Sequence, residues 1–232
     1  MQSVGLKRAS EQMHKECPVH GKFFAHHETC PFCEEEARKK AHRIGEYKRN
    51  SRVPERFRGL PIDSFQGESE GVRNARGIAR KYVDAFEQRK EAGTCLIFVG
   101  KPGTGKTHLA CSMAWELMNK ERPVIYATEY QITGAIKNTW KERDKSEGDI
   151  IDKLCNPDLL IIDECGISLA TDTDRVLLYQ VINARYECKL PMLLIANLTV
   201  DELTGHIGER AMDRLKEGGG VTVPFTWESF RG

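Results

Sequence analysis

The chain has 232 residues, 30% charged and 40% hydrophobic, with a formal net charge of +1. That length holds one α/β domain with a small appendage, and the balanced charge excludes a polycation that gathers nucleic acid by bulk attraction. No apolar run reaches membrane-spanning length and Met1 to Arg8 carries no apolar export signal, so a reducing cytoplasm is expected, where the eight cysteines read as metal ligands or buried thiols.

The charge is uneven. Residues 1–60 hold thirteen Lys/Arg against eight Asp/Glu, which puts +5 there and −4 on the rest. Residues 1–16 are polar and patternless. Then come Cys17-Pro-Val-His20 and Cys30-Pro-Phe-Cys33, two knuckles nine residues apart. Cys17, His20, Cys30 and Cys33 form a donor set for tetrahedral Zn²⁺ in a closed structural site. His26 and His27 remain alternatives to His20, and Phe23 and Phe24 are available to cover a core too small to fold without metal.

Glu34 to Arg58 is strongly charged, with Ala37, Ala41 and Ile44 at helical spacing, and reads as a solvated helix. Pro54, Gly59 and Pro61 punctuate the chain. The boundary is placed there, giving a zinc-binding domain with its linker helix over 1–58 and a second domain over 59–232. A helical stripe over Gly71 to Lys90 precedes the strand Cys95 to Val99.

Gly100-Lys-Pro-Gly-Thr-Gly-Lys-Thr107 follows that strand and opens the helical pattern from His108. Strand, glycine-rich turn and helix are the context in which G-x-x-x-x-G-K-[ST] signifies a phosphate-binding P-loop. Backbone N–H groups and the helix start face the phosphates. The expected nucleotide-binding set is Gly100, Pro102, Gly103, Thr104, Gly105, Lys106, Thr107 and His108, with Lys106 on the β- and γ-phosphates and Thr107 in a Mg²⁺ shell.

Further strands are expected over Pro123 to Thr128, Leu159 to Asp163, Met192 to Asn197 and Val221 to Phe225, with helices between them. Alternation of this kind implies a parallel five-stranded sheet covered on both faces. Asp163 and Glu164 close the third of these strands at the edge where ligands of such sheets bind. Asp163 suits Mg²⁺ and Glu164 suits activation of the attacking water. Asn197 is read either as a polar group facing the γ-phosphate or as an ordinary turn residue. Arg210 and Arg214, one helical turn apart, are surface residues or phosphate forks.

The P-loop, Leu159-Leu-Ile-Ile-Asp-Glu164, Asn197, Gly208-Glu-Arg-Ala-Met-Asp-Arg214 and Trp227-Glu-Ser-Phe-Arg231 stand in one order. Over residues 60–232 this pattern resembles the DnaC family of replicative-helicase loaders, AAA+ ATPases of bacteria and their phages. The resemblance implies Mg²⁺-dependent ATP hydrolysis, Asn197 as sensor 1, Arg231 as sensor 2 and Arg214 as an arginine finger acting across a subunit interface, hence self-association. Only 35 residues follow Asn197, so the core is expected to lack the full helical lid of larger AAA+ proteins. The family's partners are a DnaB-type hexameric helicase, gripped by the N-terminal domain, and single-stranded DNA; no membrane is involved. The Cys/His pattern is similar to phage-type members.

In relatives of this clade an extra helix after the second strand touches single-stranded DNA. Here that interval is Ala135 to Glu142, in which Lys137 and Trp140 are read either as DNA contacts, by stacking and phosphate pairing, or as ordinary helix-face and core residues. Three other readings stand beside the loader: a transposase helper ATPase of the IstB type, a nucleotide kinase, and a zinc-ribbon adaptor whose P-loop binds without turnover.

Overall fold

A computed structural model describes residues 14–141, 144–166 and 171–230. The chain divides into two compact units, one ending at Glu46 and the other beginning at Tyr47. The division falls twelve residues before the expected boundary, inside a continuous helix.

In the first unit β1 (His14–Cys17) and β2 (Gly21–Phe24) form an antiparallel hairpin in which Cys17 is paired with Gly21. The first knuckle is therefore the hairpin turn itself. The second opens α1 (Pro31–Asn50), which buries none of its residues, as its dense charge requires. Phe24 is 55% exposed and stacks on His26, so it does not cover a core as expected.

The second unit starts on the last turn of α1. Ser51 and Val53 are fully buried, and Tyr47 and Phe57 pack on the core. The segment placed in the linker by its prolines is thus structural wall. The expected helix over Gly71 to Lys90 is two helices, α2 (Glu70–Asp84) and α3 (Phe86–Ala92), with a break at Ala85. The break lets Phe86 join Tyr82 in the core, with ring centroids 5.9 Å apart.

There follow β3 (Leu96–Gly100), α4 (Lys106–Asn119), β4 (Val124–Thr128), α5 (Glu129–Thr139), α6 (Glu147–Cys155), β5 (Leu159–Cys165), α7 (Asp172–Glu187), β6 (Met192–Ala196), α8 (Val200–Ile207), α9 (Glu209–Lys216) and β7 (Val221–Phe225). The five strands lie in the order β4-β5-β6-β3-β7, and each neighbouring pair is parallel. Side-chain alternation explains the two cores. Leu96, Phe98, Leu159, Ile161, Leu193 and Ile195 face one, with α2 and α4, while Ile97, Val99, Leu160, Ile162, Leu194 and Ala196 face the other, with α7, α8 and α9.

Four of these helices start with a reciprocal capping box, at Thr128, Ser146, Thr171 and Thr199, which satisfies N–H groups that would otherwise lack partners. At the opposite edge of the sheet the fully buried Arg185 donates to the carbonyls of Leu154, Pro157 and Pro191 at 2.6, 3.1 and 2.7 Å. It ties together the entries to β5 and β6. Parallel strands place all their C-terminal ends on one edge, so Gly100, Asp163 and Asn197 arrive together.

Candidate nucleotide site and metal centre

The P-loop is shaped by what cannot fit. Gly105 has φ 87°, and a Cβ there would stand 2.5 Å from Phe65 Cε2, so only glycine serves. The Thr104 side chain is fully buried and its hydroxyl donates to Lys101 O at 2.8 Å. Gly100 and Thr104 are thus frame of the loop. The Lys106 ammonium donates to Gly100 O and Lys101 O, both at 2.7 Å. Burial lowers its pKa to about 8, opposed by the charge of Asp163.

Asp163 gathers three donors. Its Oδ2 accepts the Thr107 hydroxyl at 2.8 Å and the Tyr126 hydroxyl at 2.7 Å, and its Oδ1 accepts the Glu164 N–H at 2.7 Å. Burial, then the negative field of Asp163, pushes the Tyr126 phenol far above its ordinary pKa, so it stays a donor at any working pH.

A bulge aims the next side chain. From Ile162 to Cys165 the chain takes three steps while its partner β6 takes two, from Leu194 to Ala196. One extra residue is accommodated there, and Glu164 adopts φ 59°. This left-handed conformation is uncommon for a residue other than glycine and costs on the order of 1 kcal/mol. It turns the Glu164 side chain out of the strand, exposed, while Asp163 stays buried. Bulges are used beside active sites to re-aim a side chain in this way.

Pro102, Gly103, Gly105, Lys106, Thr107, His108, Asp163, Glu164 and Asn197 line one cleft of about 310 Å³. Asn197 stands just past the end of β6. Four lining residues escaped the sequence reading: Arg56, Phe57, Tyr126 and Phe230. Phe57 lies parallel to the His108 ring at 5.9 Å, and the Arg56 guanidinium stands over the Phe57 ring, 4.5 Å from its centre. The closing segment is latched to the loop: Trp227 Nε1–H donates to Thr104 O at 3.1 Å and Phe230 N–H to Gly103 O at 3.0 Å. Arg231, expected as sensor 2, lies outside the described residues.

Arg210 and Arg214 do not line this cleft. Arg210 is exposed on α9. Arg214 stacks on Tyr179 and Tyr186 of α7 at 4.9 and 5.3 Å, and its Nη1 has no hydrogen-bond partner among the described residues. Lys137 pairs with Asp174 at 2.6 Å; burial raises the Asp174 pKa, but the Lys137 pair with the Thr171 and Thr133 hydrogen bonds outweighs it and holds the carboxyl well below its ordinary range. Trp140 is 56% exposed and donates from Nε1 to Glu147 at 2.5 Å. It caps α5 from outside the core, and the adjoining Glu142 lies outside the described residues.

In the first unit the sulfurs of Cys17, Cys30 and Cys33 and a nitrogen of His20 lie within 4.8 Å of one another. The His20 Nδ1 distances to the three sulfurs are 3.8, 3.8 and 3.3 Å, and Cys17 Sγ stands 3.5 Å from Cys33 Sγ. Ligand bonds of ~2.0–2.3 Å to one tetrahedral Zn²⁺ require edges of about that length. His20 Nε2, the other ring nitrogen, is 3.5 Å from Glu36 Oε1, the carboxylate placement that orients a metal-bound imidazole. His26 and His27 pack against each other instead, ring centres 4.1 Å apart and planes tilted by 41°. Among the described residues no other Cys/His/Asp/Glu group has comparable geometry, and no helix is long and apolar enough to cross a membrane.

The model of the IstB-like ATP binding protein family matches residues 32–216. The replicative helicase loader DnaC of Escherichia coli (strain K12) is 36% identical over 170 residues, 73% of this chain and 68% of that protein. Among solved structures, one described as the DnaC helicase loader superposes with a TM-score of 0.66 at 20% identity, over 74% of this chain and 99% of that one. The replication initiator DnaA bound to AMPPCP and single-stranded DNA gives 0.63 at 19% identity, over 76% and 52%. The two structural likenesses establish the shared fold.

Proposed function

The chain belongs to the IstB-like ATP binding protein family, and from that premise we infer that it is an ATP-dependent loader of a DnaB-type replicative helicase. The observation that carries the loader over the transposase helper is the 36% identity to the curated helicase loader across most of both chains. Co-elution with a DnaB-type hexamer, strengthened by ATP, is the expected result on size exclusion. Co-elution with an IstB-partnered transposase instead would transfer the chain to the other branch.

In this reading the P-loop N–H groups and Lys106 bind the phosphates of ATP. Thr107 and Asp163 offer a hydroxyl and a carboxylate oxygen already 2.8 Å apart, donors suited to a hard divalent cation. They would hold Mg²⁺, which when bound neutralises charge on the β- and γ-phosphates. Tyr126 fixes the rotamer of Asp163. Glu164, turned outward by the bulge, accepts a proton from the water that attacks the γ-phosphate, and Asn197 orients that water. Arg231 is assigned to the same nucleotide as sensor 2.

Phosphates placed beside Lys106 favour its charged form, so binding raises a pKa that starts at about 8. At about pH 8 ATP binding is expected to take up nearly half a proton per site, falling toward zero near pH 6. Calorimetry in buffers of different ionisation enthalpy reads this directly. Proton release at pH 8 would place the phosphates elsewhere.

Cys17, His20, Cys30 and Cys33 would hold a structural Zn²⁺ with no open coordination position, and the unit that ends at Glu46 is assigned the grip on the helicase. Cys30→Ser is expected to lower zinc content from about one per chain toward zero, and to unfold residues 17–33 because so small a unit folds with its metal. Helicase binding should be lost and ATP affinity kept. Loss of ATP affinity in this variant would contradict the division of labour. A cytoplasmic location belongs to the same reading, in which three cysteines serve the metal and the other five are thiols outside any disulfide.

Trp140, the cap of α5, is the residue we assign to single-stranded DNA, because its ring is open to stacking. Lys137 joins it only by leaving Asp174. Self-association brings Arg214 of one protomer to the nucleotide of the next, which fits its absence from the cleft of its own protomer.

A further inference from the structure

Glu129 is the first residue of α5 and its side chain is 2% exposed. Its Oε2 accepts the Gly166 N–H at 2.9 Å, and both its oxygens lie 2.9 Å from His206 Nε2. A carboxylate only accepts, so Nε2 carries the proton. Gly166 comes two residues after Glu164, at φ 79°, where a Cβ would stand 2.5 Å from Leu198 Cδ1. His206 comes two residues before Gly208, the joint between α8 and α9, whose carbonyl receives the Met212 N–H at 3.1 Å.

We propose that Glu129 and His206 are a positioning pair that couples the hydrolytic Glu164 of a protomer to the helix by which that protomer serves its neighbour. The proposal rests on the reading above, in which Glu164 activates water and Arg214 acts across the interface. A buried carboxylate is costly to desolvate, and apolar groups of like volume often replace such a pair at no loss. Here neither member touches Lys106, Thr107 or Asp163 in the contacts of the site. One carboxylate instead bridges a backbone N–H just past the left-handed Glu164 and a ring just before the helix of Arg210 and Arg214. Any change in the bulge that shifts Gly166 must move or break its bond to Glu129, and the same carboxylate holds α8 through His206. The two ends of the bridge lie just past β5 and on α8, so the link joins the exit of the strand to that helix through one side chain.

Three proteins test it: wild type, His206→Ala and His206→Gln, in which the amide N–H can replace the imidazole donor. ATP turnover is measured across ATP and protein concentrations, alongside melting temperature. His206→Ala is expected to change KM by less than about twofold, lower kcat by about tenfold and reduce the Hill coefficient to 1, with His206→Gln recovering most of both. A second measurement isolates the effect on the neighbour. Protomers carrying Glu164→Gln, able only to lend their arginine, are mixed with Arg214→Ala protomers; adding His206→Ala to the lenders should lower the recovered activity several-fold. Unchanged recovery from folded lenders, or losses that follow melting temperature and are not restored by Gln, would overturn the coupling. If mixtures without the His206 change recover nothing, the interface reading itself has failed and the coupling falls with it.

Discussion

Arg214→Ala is expected to lower ATP turnover about a thousandfold while nucleotide affinity stays within a few fold. The size follows from what an arginine supplied in trans contributes to phosphoryl transfer, ~10³ or more in kcat. The specificity of the loss follows from position. Arg214 stacks between two tyrosines of α7 and lines no part of its own nucleotide cleft, so removing it leaves every phosphate contact of that cleft intact. Arg214→Lys should rescue little, because an ammonium cannot fork onto two oxygens or stack as a plane. Steady-state turnover, a fluorescent nucleotide titration and a melting curve on the same preparation check the three parts. A variant that loses affinity in proportion to turnover would make Arg214 a residue of its own site.

Glu164→Gln should cut turnover by about a hundredfold or more, the contribution of a well-placed general base, and leave ATP bound. The amide keeps the shape of the side chain and the left-handed backbone, and removes only its ability to take a proton. The contrast is with Lys106→Ala, which strips the phosphate contact and should be lost at binding. Turnover of Glu164→Gln at the wild-type rate would favour the adaptor whose P-loop only binds.

These two effects come from features that differ in how visible they are in the amino-acid order. The P-loop and the Leu-Leu-Ile-Ile-Asp-Glu strand are local: spacing alone fixes which atoms can meet, and the cleft assembles Lys106, Thr107, Asp163 and Glu164 as expected. The period-2 strands and their helices were legible for the same reason, down to a fifth strand at Val221–Phe225. Contacts made by tertiary placement were not. Nothing in an apolar run announces that Glu164 will sit on a bulge at φ 59°, because the extra residue is defined only against β6. Arg56 and Phe57 lie in a proline-punctuated stretch that reads as linker, yet Phe57 stacks on His108.

The interval after β4 gave a mixed result. Trp140, equally consistent with core or surface by pattern, is exposed, whereas Lys137 is held by Asp174, 37 residues away in the chain. A lysine three residues from an aromatic suggests a track for nucleic acid, but its partner on α7 cannot be found from helical spacing. Residues 47–58 failed as linker because tertiary burial overrode composition: Ser51 and Val53 are sealed in the core.

In the proposed mechanism a second protomer completes the hydrolytic centre, and mixing two inactive proteins is the decisive check. Arg214→Ala keeps a working Glu164, and Glu164→Gln keeps a working Arg214. Combined at concentrations that permit assembly, they should regain a substantial fraction of wild-type ATP turnover, greatest near equal proportions and lost on dilution. A mixture that stays as inactive as its components at every ratio and concentration, from proteins that remain folded and bind ATP, would mean that no neighbour completes the site.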